Sequence, residues 1–466
     1  MTNLRPPMPE PKDKANALQK LWASFDSSIS GFAAGAYRTL TITKIRTPNL
    51  PIEQVKRAFL VRDPEWIREI LVKRYADFPK SKQTRKMLGW LAGGSMFTSN
   101  GDDWLYQRRI IDQAFTNAGV KAVLPLMLDA VDASLNRITG RGSATFDVTE
   151  ETNLFAGDII YRTLFSEEIA RDDANRMFGA FEAYQRAAYQ FGISWSLGVP
   201  EFLNPQAGML KRNGKIIREE LIKPIDRRLS AIEAGEETPQ NDILGSLISC
   251  SDPETGKRFD RGELHDHISA FFLAGHETSA VSLGWSLYLL AKDQEMQDAV
   301  RREVLEALPE GRPAFSDVRK FQLARNTFRE ALRLYPPVAY INRDATKEEK
   351  MRKHELCPGD LASIPVWLMH RNEEIWEQPH EFCPHRFADH DQKEAISSAY
   401  LPFGLGARVC VGASFATQEA VLFLAMCLRQ FRVEPVEGHT PDPMARLTIR
   451  SRNGIVLKFV PLDDKA

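Results

Sequence analysis

Phe403-Gly404-Leu405-Gly406-Ala407-Arg408-Val409-Cys410-Val411-Gly412 is the stretch that decides how this 466-residue chain is read. Cys410 lies just ahead of an apolar run from Ala413 to Leu428. A cysteine in that setting is ordinarily a buried structural residue. Here the neighbours suit a metal-binding thiolate, which needs positive charge and backbone N–H donors around its sulfur. Arg408 supplies a cation two residues away. Gly404, Gly406 and Gly412 permit tight turns and close backbone approach. Val411 and Gly412 open the helix predicted to follow, so their N–H groups can face the sulfur.

Composition frames this reading. Lys+Arg number 61 against Asp+Glu 62, a net charge of −1, which offers no basic field for nucleic acid. Apolar residues make up 43% of the chain, ample for a large core. The cysteines at 250, 357, 383, 410 and 427 form neither CxxC pairs nor a disulfide framework, which fits a reducing, cytoplasmic setting. The first residues are Pro-rich and charged, without the apolar segment of a secretory signal. Ile268 to Leu290 comes nearest to a membrane span, but His276 and Glu277 at its centre make a buried core helix the better reading. Ile29 to Ile45 is interrupted by Arg38 and Lys44.

Helical periodicity dominates the chain. The expected helices are Glu65 to Tyr75, opened by Asp63-Pro64, then Gly101 to Phe115, Val120 to Ile138, Glu151 to Leu164 and Asp172 to Phe191. Asn213 to Ala234, Glu263 to Lys292, Gln294 to Leu308 and Leu323 to Leu334 follow, the last stopped by Pro336-Pro337. Strands are expected at Leu40 to Ile45, Ala58 to Val61, Val338 to Ile341 and Leu361 to Ile364. Leu447 to Phe459 reads as a hairpin turning at Gly454. No repeat or low-complexity linker divides the chain, so residues 1–466 are expected to form one large, mainly α unit. Its β-rich parts lie near 38–62, 338–366 and 445–460.

Three further constellations carry chemistry. Ala274-Gly275-His276-Glu277-Thr278-Ser279 places acid, alcohol and glycine inside the most apolar helix, where each costs free energy unless bonded. Such breaks of local rules mark functional sites, although a threonine bonded back to the preceding turn would also account for the pattern. Glu330-Ala331-Leu332-Arg333 pairs opposite charges one helical turn apart. Trp104 and Arg108 share one helix face. Other features carry less. His380, Cys383 and His385 lack companion ligands at zinc spacing. Gly404-x-Gly406 lacks the third glycine of a dinucleotide loop. His265 and His267 are expected on a solvated or capping turn.

Taken together and in this order, the motifs resemble those of the cytochrome P-450 family. The resemblance covers essentially the whole chain, from Trp104 to Gly412. It implies a mainly α fold, a large helical domain with a small β-rich region. It implies haem b (iron protoporphyrin IX), with Cys410 as the iron ligand in a cradle that includes Phe403, Gly404, Arg408 and Gly412. Trp104, Arg108 and Arg343 would reach the haem propionates together with Arg408. Ala274 would make room over the haem. Glu277 and Thr278 would deliver protons for cleavage of the O–O bond. Glu330, Arg333 and Arg386, the last from Pro384-His385-Arg386-Phe387, would form a buried structural network. The activity implied is a monooxygenase that inserts one atom of O2 into a C–H bond. No flavin, nicotinamide or iron–sulfur motif accompanies these residues. Electrons are therefore expected from a separate ferredoxin or flavodoxin with its reductase, docking on the thiolate side. Peroxygenase or isomerase branches of the family replace the acid–alcohol pair, which is intact here, and a haem sensor would need an output module. The segments expected to line the pocket are Met87 to Phe97, Phe181 to Phe202, Val338 to Ile341 and Leu447 to Ile449. They are rich in Phe, Trp, Leu and Ile, and so point to an apolar terpenoid, steroid or fatty-acid-like substrate with no transmembrane anchor on the enzyme.

Overall fold

The computed structural model describes residues 4–13, 27–30, 32, 34–45, 57–196 and 198–462. Asp63 accepts from the Glu65 and Trp66 N–H groups and opens α1 (Pro64–Arg68), which runs on as a π-helical turn over Glu69–Lys73. The larger helices that follow are α2 (Lys82–Ala92), α3 (Gly101–Ala114), α4 (Leu124–Thr139), α5 (Val148–Phe165), α6 (Arg171–Ser196) and α7 (Pro205–Glu233). Then come α8 (Arg261–Lys292), α9 (Gln294–Ala307), α10 (Gln322–Leu334) and α11 (Ala413–Gln430).

The 32-residue α8 is the axis of the molecule, started by a capping box between Asp260 and Glu263. Its buried residues, Trp285, Leu287 and Leu289 among them, belong to one large core shared with α4, α5, α10 and α11. A second core lies under the main sheet around Phe59, Val61, Ile67 and Ile364.

That sheet has the order β1 (Ile42–Ile45), β2 (Ala58–Val61), β7 (Leu361–Pro365), β4 (Tyr340–Asp344), with β2 and β7 parallel. β5 (Glu349–Met351) and β6 (His354–Leu356) form a short hairpin between its strands. β3 (Ala144–Asp147), β11 (Val456–Pro461) and β8 (Phe431–Pro435) make a second, antiparallel sheet. β9 (Pro443–Ala445) pairs with β10 (Ile449–Ser451).

The structure departs from the sequence expectations at particular points. Residues 447–459 are not a hairpin: β10 pairs back with β9, and β11 joins β3 and β8. Gly454 does turn the chain, with φ +75, but between strands of different sheets. Alternation shows that a segment is a strand and not which strand it meets. The span from Val120 to Ile138 is broken at Val123 because Pro125 starts α4. Helix α2 was not foreseen. His267 is not on a solvated turn. It is fully buried between Phe259 and Phe271, ring centroids 4.3 and 6.2 Å away, and burial pushes its pKa down to about 3. The capping box starts α8 early enough that His267 already faces inward. Of the stretch from Ile29 to Ile45, positions 31 and 33 lie outside the described residues, and Ile29 and Ile42 are core residues. Among the described residues no helix is long and apolar enough to cross a membrane.

Candidate active site

Cys410 sits at the end of a loop whose shape depends on glycine. Gly404 and Gly406 have φ +76 and +74, and a Cβ on Gly406 would meet the Leu71 carbonyl oxygen at 2.1 Å. Only glycine lets the loop lie this close to the turn after α1. The Cys410 N–H donates to the Phe403 carbonyl at 2.8 Å, closing the loop. Gly412 is the N-cap of α11. Burial pushes the Cys410 thiol up, while the Gly412 N–H, Arg108 and Lys80 favour the thiolate. The residue is nonetheless solvent-accessible. A side chain can be both desolvated and accessible if it lines an internal cavity.

Cations gather beside it. Arg108 Nη1 donates to the Val409 carbonyl at 2.6 Å, and its Nε pairs with Asp112 at 2.7 Å. The Arg408 guanidinium lies 4.1 Å over the buried Trp104 ring and donates to Asn100 at 3.0 Å, but its Nε is buried without a partner. Among the described residues the Arg343 guanidinium donates to the neighbouring Asn342 carbonyl alone, at 3.0 Å. Lys80, which sequence reasoning missed, donates to the Met96 and Phe97 carbonyls at 3.1 and 2.9 Å. Its segment bridges to Arg343.

Burial and then mutual repulsion hold the Lys80 pKa well below its usual value, with Arg408, Arg343 and Arg108 all contributing. Burial also brings Arg343 and Arg408 down to about 10. Among the described residues, Lys80, Arg343 and Arg408 have no carboxylate partner. Buried cations gathered in this way require an anion.

Helix α8 carries the acid–alcohol motif. Between His267 and Ala291 its residues are buried except Ala274, Gly275, Thr278 and Val281. Ala274, Thr278 and Val281 lie one turn apart along one face, and this open stripe is framed by buried neighbours. Gly275 also abuts α5, where a Cβ would come within 3.0 Å of Ile160, so its small size serves close helix packing as well. Thr278 Oγ1 donates back to the Ala274 carbonyl at 2.6 Å. The buried Glu277 accepts from Thr448 at 2.7 Å, which ties α8 to the turn before β10. His276 points away, stacked on Phe178 and Phe272.

A further buried acid went unforeseen. Glu419 on α11 accepts from Ser279, the residue after Thr278, and burial raises its pKa to about 8. A glutamate inside the apolar run from Ala413 to Leu428 was the available signal.

The family is shown by comparison with known proteins. The cytochrome P450 family model matches residues 54–459. The chain is 30% identical to cyclooctat-9-en-7-ol 5-monooxygenase of Streptomyces melanosporofaciens, over 82% of each chain. It is 30% identical to 11-oxo-beta-amyrin 30-oxidase of Glycyrrhiza uralensis, over 85% of this chain and 77% of that one. A crystal structure of the cytochrome P450DA heme domain superposes with a TM-score of 0.79 at 22% identity, covering 91% of this chain and 90% of that one, which shows the fold. The chain therefore belongs to the cytochrome P450 family. It is a haem-thiolate monooxygenase whose cofactor is haem b and which uses O2 and a redox partner.

The site suits that cofactor. Cations without a carboxylate partner among the described residues suit two carboxylates, the Cys410 sulfur is accessible, and α8 carries a stripe of incompletely buried side chains.

Proposed function

We propose that Cys410 would ligate the iron of bound haem and that Phe403, Gly404, Arg408 and Gly412 would cradle it. Trp104, Arg108, Arg343, Arg408 and Lys80 hold its propionates, and Ala274 leaves space above it. The observation that carries this reading is the accessible Cys410 sulfur near Lys80, Arg343 and Arg408, cations with no carboxylate partner among the described residues. Bound haem supplies oxygen activation, and residues 1–466 act as one haem domain in this reading. The chain's own part is binding, orientation and proton handling. The Thr278 hydroxyl spends its proton on Ala274, so its oxygen faces the stripe as an acceptor that can hold a proton-bearing water. Glu277, fixed by Thr448, is the nearby acid that replenishes such protons. Thr278→Ala should keep haem and substrate binding but divert reducing equivalents into peroxide. Unchanged product per reducing equivalent would remove Thr278 from proton delivery.

The substrate class follows from apolar lining and from relatives named for terpenoid oxidations. We place a terpenoid first, ahead of steroids or fatty acids. Electrons come from a separate ferredoxin or flavodoxin. A cavity of about 500 Å³ lies against Phe403 and Ala413, on the Cys410 loop and the start of α11. Arg319, Arg325 and Arg329 line it. Burial and then mutual repulsion lower the Arg325 pKa, with Glu303 as its opposing charge. This face suits an acidic partner surface.

A further inference from the structure

We propose that Gln185 is the hydrogen-bonding anchor of the substrate, so that the substrate is a lipophilic molecule already carrying an oxygen function. This rests on the terpenoid reading above and narrows it.

Gln185 lies on α6, is 3% exposed, and makes no side-chain hydrogen bond among the described residues. A buried amide ordinarily finds partners, and leaving one unmet is costly. Its place on the helix shows where the amide points. At about 100° per residue, Phe181, Gln185, Phe178, Tyr189 and Glu182 share an arc of about 100° on one face of α6. Gln185 is inside that arc, with the others around it.

Those neighbours reach three different elements. Phe178 and Phe181 meet His276 of α8, ring centroids 4.7 and 5.1 Å away. Tyr189 lies close enough to Tyr340 of β4 to raise its pKa, after burial. Glu182 comes within 4.0 Å of Arg450 on β10. The Ile449 N–H of β10 bonds the Pro337 carbonyl ahead of β4 at 3.0 Å, and Thr448 bonds Glu277 of α8 at 2.7 Å, so these elements join. The face of α6 that carries Gln185 therefore lies against β4 and β10 through Tyr189 and Glu182, and against the His276 side of α8 through Phe178 and Phe181. Glu277, bonded to Thr448, flanks the open stripe of Ala274, Thr278 and Val281, so the β10 end of this face adjoins that stripe.

A carboxamide offers N–H donors and a carbonyl acceptor. It can bond a hydroxyl, a ketone or a carboxyl group, and gains nothing from a hydrocarbon. An apolar chamber with one free amide holds a hydrophobic skeleton by desolvation and orients it by that single bond.

The test uses haem-loaded protein and matched ligand pairs: cedrene and cedrol, phytane and phytol, androstane and androstan-3-one. Dissociation constants are read from the Soret shift for the wild type and for Gln185→Leu and Gln185→Met. The expected result is that both variants weaken the oxygenated members about tenfold relative to their hydrocarbon partners, the size of one hydrogen bond. Hydrocarbon binding that is kept or strengthened shows that the pocket is intact. Equal effects of the variants on both members of each pair would overturn the anchor and leave the terpenoid reading standing. No shift with any member of the panel would overturn the terpenoid reading and the anchor with it.

Discussion

Two clusters of buried charge stand on either side of the α10–sheet connection, and they are built on opposite plans. In the first, Glu330 faces Arg333 at 2.8 Å and Arg386 at 3.0 Å, all three deeply buried. Backbone carbonyls take up further N–H groups of both arginines. Arg333 donates to the carbonyls of His370, Pro379 and Glu381, and Arg386 to those of Glu377 and Gln378. Burial alone would raise the Glu330 pKa, but Arg333 and then Arg386 outweigh it and the net shift is downward. In the second cluster, Lys80, Arg343 and Arg408 have no carboxylate partner among the described residues; burial depresses all three, and repulsion adds to it at Lys80 and Arg408. The first is finished by the chain itself and is structural. The second is completed by something the chain does not encode. Unpaired charge, rather than charge as such, marks the binding site.

The largest expected effect breaks the finished cluster. Glu330→Ala strands two buried guanidinium groups, and losing one partner of such a network costs about 3–5 kcal/mol. Little folded, haem-loaded protein should be recovered. Soluble, fully loaded protein with an unchanged unfolding midpoint would show the network to be dispensable.

Next comes Glu419, a buried acid with no cation partner among the described residues. Its folded pKa of about 8 lies above the 4.5 of an ordinary glutamate, so the folded state holds more protons between those values. Stability should therefore fall as pH rises from about 4.5 to about 8, by at most roughly 1.4 kcal/mol per pH unit from this group. Glu419→Gln should remove that slope, gaining stability at pH 8 and little at pH 4. Parallel pH–stability curves for the two proteins would contradict the assignment.

A smaller and sign-reversed effect belongs to the unfinished cluster. Lys80→Met removes an unpaired buried cation. The haem-free protein should become slightly more stable, while haem affinity falls about tenfold, the worth of one charge-assisted bond. Titration of haem into the two apoproteins reads this, and a parallel loss of both quantities would make Lys80 part of the framework. Smallest is the rim. Arg329→Glu should slow reduction by an acidic ferredoxin several-fold at low salt, with the difference shrinking at high salt. A rate independent of salt would move the docking face elsewhere.

How much of this was legible in the sequence depends on whether a residue's meaning is local. Asp63-Pro64 and the stop at Pro336-Pro337 carry their signals within a few positions, and those helix boundaries agree with the structure, whereas the capping box at Asp260 was not read from the sequence. Glu330 and Arg333 are local too, and the segment containing Arg386 was identifiable. Lys80 was not. It meets Arg343 only because a bridge links a loop after α1 to β4, across more than 250 residues of chain. The same holds for β10 and β11, recognisable as strands but paired with partners that alternation cannot name. His267 was misplaced because a histidine near a helix start reads as polar until the cap fixes which way it faces. Gln185 lies in a segment expected to line the pocket, but nothing in the sequence marks one glutamine as lacking a partner. Even at the recognised motif the roles needed coordinates: Thr278 does bond back to the preceding turn, and it also belongs to the open stripe of α8.

The most direct test of the central claim is the reduced carbon monoxide spectrum of wild type, Cys410→Ala and Cys383→Ala. The wild type and Cys383→Ala should show the long-wavelength Soret band of thiolate-ligated haem, and Cys410→Ala should lose it. Persistence of that band in Cys410→Ala, or its loss in Cys383→Ala alone, would place the iron ligand elsewhere and contradict the account.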